Sequence, residues 1–133
     1  YKRQSHPRHP CFHGQAGLKK VCQNSRYLVV LLPLNKETTD IINATTLSWC
    51  DSDTVLVNVG RGEHVNEKDL LFSLDNNTLK HAVLDVFKEE PLAPNHAFWS
   101  HPRVTLTPHS SSRSDVKQTA TQLVVYYRSL GDG

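Results

Sequence analysis

Residues 54–62 read TVLVNVGRG, six residues of apolar and β-branched character that stop abruptly at a glycine, an arginine and a second glycine. Such a run is too short for a helix and has the composition of a strand. Three others recur at intervals of 22 to 27 residues: YLVVLL at 27–32, HAVLDVF at 81–87 and RVTLT at 103–107. Their near-continuous hydrophobicity is the pattern of parallel strands covered on both faces. Helical patterns fill the gaps. Glu37–Ile42 and Thr45–Trp49 are short candidates, the second with Asn43 or Thr45 as N-cap, and a short helix is expected near Gln15–Gln23. Asn66–Asp75 is stronger: Asn66 caps, Asp69 stands three residues later as in a capping box, and Val65 and Leu70 hold hydrophobic-staple positions. A last helix is expected from Ser114, with Val116, Ala120, Leu123, Val124 and Tyr127 on one face. Strands alternating with helices imply right-handed βαβ crossovers and a parallel sheet, so the fold class is α/β.

The whole chain has 133 residues, with 15 Lys+Arg against 13 Asp+Glu and a net charge of +2. One domain is the natural expectation at this length. The mild balance argues against a nucleic-acid binder. The apolar run 27–32 is far short of a membrane helix, and no signal peptide opens the chain. Three cysteines without framework spacing fit a reducing compartment, so a soluble cytoplasmic protein is expected, with Cys22 and Cys50 as small buried hydrophobes. Residues 1–26 hold six basic side chains and no acid. His6, His9, Cys11 and His13 in this head match no common zinc spacing, and Pro7 and Pro10 disfavour a compact tetrahedral site, so no metal is expected.

In open sheets of this kind, ligands bind beyond the carboxyl ends of the strands. There the four runs lead into Leu32-Pro33-Leu34, into Gly60-Arg61-Gly62, through Asp85-Val86-Phe87 to Glu90-Pro91, and into Thr107-Pro108-His109. Taken singly, Arg61 reads also as a solvated loop charge, His109 as a loop histidine held by a carbonyl, and Glu90 as a surface acid. Together they make chemical sense on one rim. An arginine holds a carboxylate through two parallel hydrogen bonds and polarises an adjacent carbonyl. A histidine beside a glutamate forms an imidazolium–carboxylate pair, in which the proton is held more firmly and is suited to donation near neutral pH.

The segments LLPLNKETTDIIN (31–43), VLVNVGRG (55–62), LDVFKEEPL (84–92) and FWSHPRVTLTPH (98–109) resemble, in order and spacing, the nucleotide-binding domain of the D-isomer-specific 2-hydroxyacid dehydrogenases. They look most like its glyoxylate/hydroxypyruvate reductase branch. The resemblance implies that Arg61 binds the substrate carboxylate and activates its carbonyl, that His109 is the proton donor, and that Glu90 tunes it. It implies also that Asp85 touches the nicotinamide end of the cofactor, that backbone at Leu32-Pro33 and Val59-Gly60 lines the dinucleotide, and that Ser110 adjoins it. The implied reaction is hydride transfer from NAD(P)H to a 2-oxo acid of the glyoxylate or hydroxypyruvate type, giving a D-2-hydroxy acid. Tyr1-Lys2-Arg3-Gln4 resembles the family's NADP-type turn, where Arg3, assisted by Lys2 and Gln4, would meet the 2′-phosphate; NADP is therefore expected, with NAD the alternative.

The chain departs from the family pattern in places. It carries no GxGxxG motif and no substrate domain, Gly60 stands where Ala or Ser is more usual, and Ser110–Arg113 is unusually polar. The expectation is a partial Rossmann-like, doubly wound sheet over residues 1–133. Residues 1–26 would be a basic loop region after the second strand, and the first strand and Gly-rich loop would be lacking. Taken alone, such a chain should expose apolar sheet faces and be inactive or unstable, while the full-length form is expected to be a homodimer bound to neither nucleic acid nor membrane. The alternative is a non-catalytic dinucleotide-binding or dimerisation module, or an inactive fragment.

Overall fold

The structure, a computed structural model, describes residues 9–109. Lys2, Arg3, Gln4, Ser110 and the helix expected from Ser114 lie outside them. Four parallel strands run in the order β1 (Tyr27–Val30), β2 (Val55–Asn58), β3 (His81–Leu84) and β4 (Val104–Leu106). The register aligns Leu28, Leu56, Ala82 and Val104 in one row across the sheet. Helix α1 (Gly14–Asn24) precedes β1, α2 (Ala44–Leu47) joins β1 to β2, and α3 (Glu67–Asp75) joins β2 to β3. Because the strands follow one another in sequence order, each right-handed crossover carries its helix over the same face.

That winding explains the burial pattern. Leu28, Val30, Leu56, Asn58, Ala82 and Leu84 are all buried, and with Leu47, Leu70, Leu74 and Phe98 they make up much of the core. The alternate residues are not covered equally: Tyr27, Val29 and Leu31 are 65%, 49% and 71% exposed. The expectation of strands buried on both faces is thus corrected along β1, while the expectation of an exposed apolar sheet face is met there by Tyr27 and Val29.

Two local expectations also give way. Glu37–Ile42 forms turns rather than a helix. Asn35 Oδ1 accepts the backbone N–H groups of Glu37 and Thr38, and the Thr38 hydroxyl donates to the Pro33 carbonyl. These side chains give the backbone partners that a helix would otherwise supply. In α3 the Asn66 cap is as expected, its Oδ1 accepting the Asp69 N–H. The Asp69 carboxylate does not close a box, however; it accepts the N–H of Ala44 at 2.8 Å and so serves the first turn of α2. Asn43 caps α2 in a complete capping box with Thr46. Val65 and Leu70, the staple pair, are both buried. Cys22 is buried and Cys50 partly so, the Cys50 thiol donating to the Thr46 carbonyl.

Candidate active site

All four strands point the same way, so the segments after them meet along one edge. The apolar strands end early: β3 stops at Leu84, and Asp85 already begins the loop that leads to Glu90. Gly62 sets how closely the Arg61 loop approaches that loop, since a Cβ there would overlap the backbone C and O of Phe87 and the N of Lys88. No other residue type fits without moving one loop off the other.

Glu90 and His109 are brought together on this rim. His109 Nδ1 lies 2.8 Å from Glu90 Oε2, with 41% and 39% of the two side chains exposed. Glu90 Oε1 accepts the Phe87 N–H at 3.1 Å, which fixes the carboxylate in its own loop. The hydrogen bond from His109, helped by the Phe87 N–H, holds the Glu90 carboxyl below its ordinary value. His109 has a φ of +49°, a left-handed conformation uncommon for a residue with a Cβ. Its N–H donates to the Thr107 carbonyl across Pro108 at 3.0 Å. Thr107 is tied in turn through its hydroxyl, which donates to the buried Asp85 carboxylate. Asp85 therefore acts within this structure as an anchor for the turn that presents His109.

Arg61 is exposed at the end of β2, and its Nη1 donates to the carbonyl of Gly60 at 2.8 Å. Among the described residues no acid pairs with its guanidinium, which leaves the charge available to a carboxylate. Beside it a groove of about 590 Å³ is walled by Leu31–Leu34 and Val59–Arg61, and so contains the predicted Leu32, Pro33, Val59 and Gly60. Its lining combines aliphatic side chains with exposed backbone and the Arg61 charge. A second hollow, of about 580 Å³ between α1 and the 37–49 segment, contains none of Arg61, Glu90 and His109. The described residues hold no cluster of three or more metal-ligating side chains. No helix among them is long and apolar enough to cross a membrane.

Sequence reasoning overlooked two residues. Asn58 and His64 are fully buried behind the Gly60–Arg61 backbone and bond to it directly. The signal for Asn58 was its phase, since it follows Leu56 by two residues and so faces the helix-covered side of the strand.

Comparison with known proteins agrees with this fold. Residues 1–111 match the family model for the NAD-binding domain of D-isomer specific 2-hydroxyacid dehydrogenases. Over 107 residues the chain is 46% identical to glyoxylate/hydroxypyruvate reductase A of Klebsiella pneumoniae, covering 80% of this chain and 34% of the relative. It is 37% identical to the reductase of the same name from Yersinia enterocolitica, over 92% of this chain and 39% of the relative. The chain thus spans between a third and two fifths of the length of these curated relatives. A D-isomer specific 2-hydroxyacid dehydrogenase from Xanthobacter autotrophicus, solved with NADPH and MES, superposes with a TM-score of 0.78 at 35% identity, over 92% of this chain and 51% of that one. An NADPH-dependent glyoxylate/hydroxypyruvate reductase from Sinorhizobium meliloti, solved with NADP and sulfate, gives 0.74 at 35% identity, over 88% of this chain and 40% of that one. The parallel sheet and these matches together place the chain in the D-isomer specific 2-hydroxyacid dehydrogenase family, within its NAD-binding domain.

Proposed function

We propose that this chain supplies the catalytic groups of a reductase that converts a small 2-oxo acid of the glyoxylate or hydroxypyruvate type to its D-2-hydroxy acid. The observation that carries the reading is the His109–Glu90 pair on the rim that also presents Arg61. Arg61 takes the substrate carboxylate and polarises the neighbouring carbonyl. His109, with Nδ1 engaged by Glu90, has Nε2 left to hand a proton to the carbonyl oxygen. Leu31–Leu34 and Val59–Arg61 would hold the nicotinamide end of the cofactor, which when bound in its reduced form would supply the hydride to C2. The alcohol leaves, and His109 regains its proton from water.

NADP is the proposed cofactor, supported by the NADPH and NADP bound in the related structures and by Arg3, Lys2 and Gln4 in the acid-free head. Residues 1–133 are read as part of the NAD(P)-binding domain, and a cytoplasmic homodimer is the proposed working form. The test is consumption of NADPH and of NADH by the full polypeptide that carries this chain, with glyoxylate and hydroxypyruvate as substrates. Turnover with preference for NADPH, weakened by Arg3→Ala, is expected. Cofactor binding without turnover would contradict the catalytic reading, and an NADH preference that survives Arg3→Ala would contradict the cofactor assignment.

A further inference from the structure

The four backbone polar atoms of the Gly60–Arg61 dipeptide are all engaged. Asn58 takes two of them, its Oδ1 accepting the Gly60 N–H at 3.2 Å and its Nδ2 donating to the Arg61 carbonyl at 2.9 Å. The Gly60 carbonyl receives Arg61 Nη1 at 2.8 Å. The Arg61 N–H donates to His64 Nδ1 at 3.1 Å. At Gly60 a Cβ would stand 3.0 Å from His64 Nδ1, so the bare backbone lets the imidazole lie against it without a shift.

His64 is 0% exposed, and its Nε2 is a buried polar atom with no hydrogen-bond partner. An imidazole that accepts at Nδ1 and is neutral carries its hydrogen on Nε2, so an N–H is left unpaired in the core. A leucine would fill the space without that loss, because a buried donor without a partner is unfavourable. What the histidine offers in return is the one acceptor that fixes the Arg61 N–H. We propose that His64 is a positioning residue for substrate recognition, holding the Arg61 backbone through Nδ1 so that the guanidinium is aimed at the carboxylate of the 2-oxo acid. This rests on the reading of Arg61 as the carboxylate-binding group. His64 is itself too deep to touch the substrate.

The side-chain oxygen of asparagine occupies nearly the place of Nδ1, whereas leucine fills the volume and accepts nothing. His64→Asn and His64→Leu are therefore compared in the full polypeptide, with Arg61→Ala alongside. Three quantities are read: KM for the 2-oxo acid, KM for NADPH, and the Kd of oxalate, an unreactive carboxylate mimic, measured by calorimetry. Loss of one directing hydrogen bond predicts that His64→Leu raises the 2-oxo acid KM and the oxalate Kd about tenfold, with NADPH KM within about twofold, and that His64→Asn recovers most of the loss. If His64→Leu does not fold, His64→Gln replaces it, since its amide reaches the Nε2 position and leaves the Nδ1 position without an acceptor. Oxalate affinity unchanged in the acceptor-lacking variant, or equally weakened in His64→Asn, overturns the proposal. Oxalate affinity unchanged in Arg61→Ala overturns the carboxylate-binding reading and the role of His64 with it. A strong effect of Arg61→Ala beside a silent His64→Leu removes only the role of His64.

Discussion

The carboxylate of Glu90 ties two loops together, meeting His109 Nδ1 with one oxygen at 2.8 Å and the Phe87 N–H with the other at 3.1 Å. Its carboxyl is held below its ordinary value of 4.5, chiefly by His109, so the folded protein favours the ionised form more than the unfolded chain does. The stabilisation is present above the unfolded value and is lost as pH falls through the lower folded value. Urea midpoints of the native protein should therefore decline below about pH 4.5, and Glu90→Gln should flatten that decline. Equal acid sensitivity in both proteins would remove Glu90 as its source.

Gly62 stands where any Cβ would overlap the backbone of Phe87 and Lys88. Gly62→Ala should cost about 1–3 kcal/mol by overpacking, and should lower activity by parting the Arg61 and Glu90 loops. Gly14 is the control: a Cβ there meets nothing within 4 Å, but its φ is +63°. Gly14→Ala should cost about 1–2 kcal/mol from backbone conformation, with activity retained. Chemical denaturation and turnover of the two variants separate these effects.

The Thr107 hydroxyl donates to the buried Asp85 carboxylate, two residues before His109. Thr107→Val keeps the shape and removes the donor, so a stability loss of about 1–3 kcal/mol is expected. Because this bond anchors the turn carrying His109, kcat should fall more than substrate KM rises. A drop in stability with unchanged kcat would show that Asp85 does not position His109.

At the far side of α2, Asp69 caps a helix to which it does not belong, through the Ala44 N–H at 2.8 Å. Asp69→Ala should cost about 0.5–2 kcal/mol, the usual range for a lost cap, and leave kinetic constants in place. Denaturation midpoints with parallel assays check both halves.

What could be read from the sequence was what local pattern controls. Four apolar runs mark four parallel strands, and the residues after them lie on one edge because every strand has the same direction. The early stop of each run brought Arg61, Glu90 and His109 into view. Partners supplied by the tertiary fold were harder to see. Asp69 looks like half of a capping box until α2 packs near it and presents the unpaired Ala44 N–H. The segment 37–42 has helical spacing, yet Asn35 and Thr38 give its backbone other partners. His64 carried no pattern that marked it as buried, because it lies in a short turn of three residues, Gly62–His64, where neither strand nor helix periodicity applies. Near-continuous hydrophobicity suggested two covered faces, but the four strands wind in one direction and leave Tyr27 and Val29 bare.

The most direct measurement is kcat for NADPH-dependent reduction of glyoxylate and hydroxypyruvate by the full polypeptide with His109→Gln, beside the Kd for NADPH of the same variant. With His109 as the proton donor, kcat should fall by about 10²–10⁴-fold while NADPH binding is retained. A kcat within about twofold of the unsubstituted protein would contradict the assignment of the chemistry to the His109–Glu90 pair.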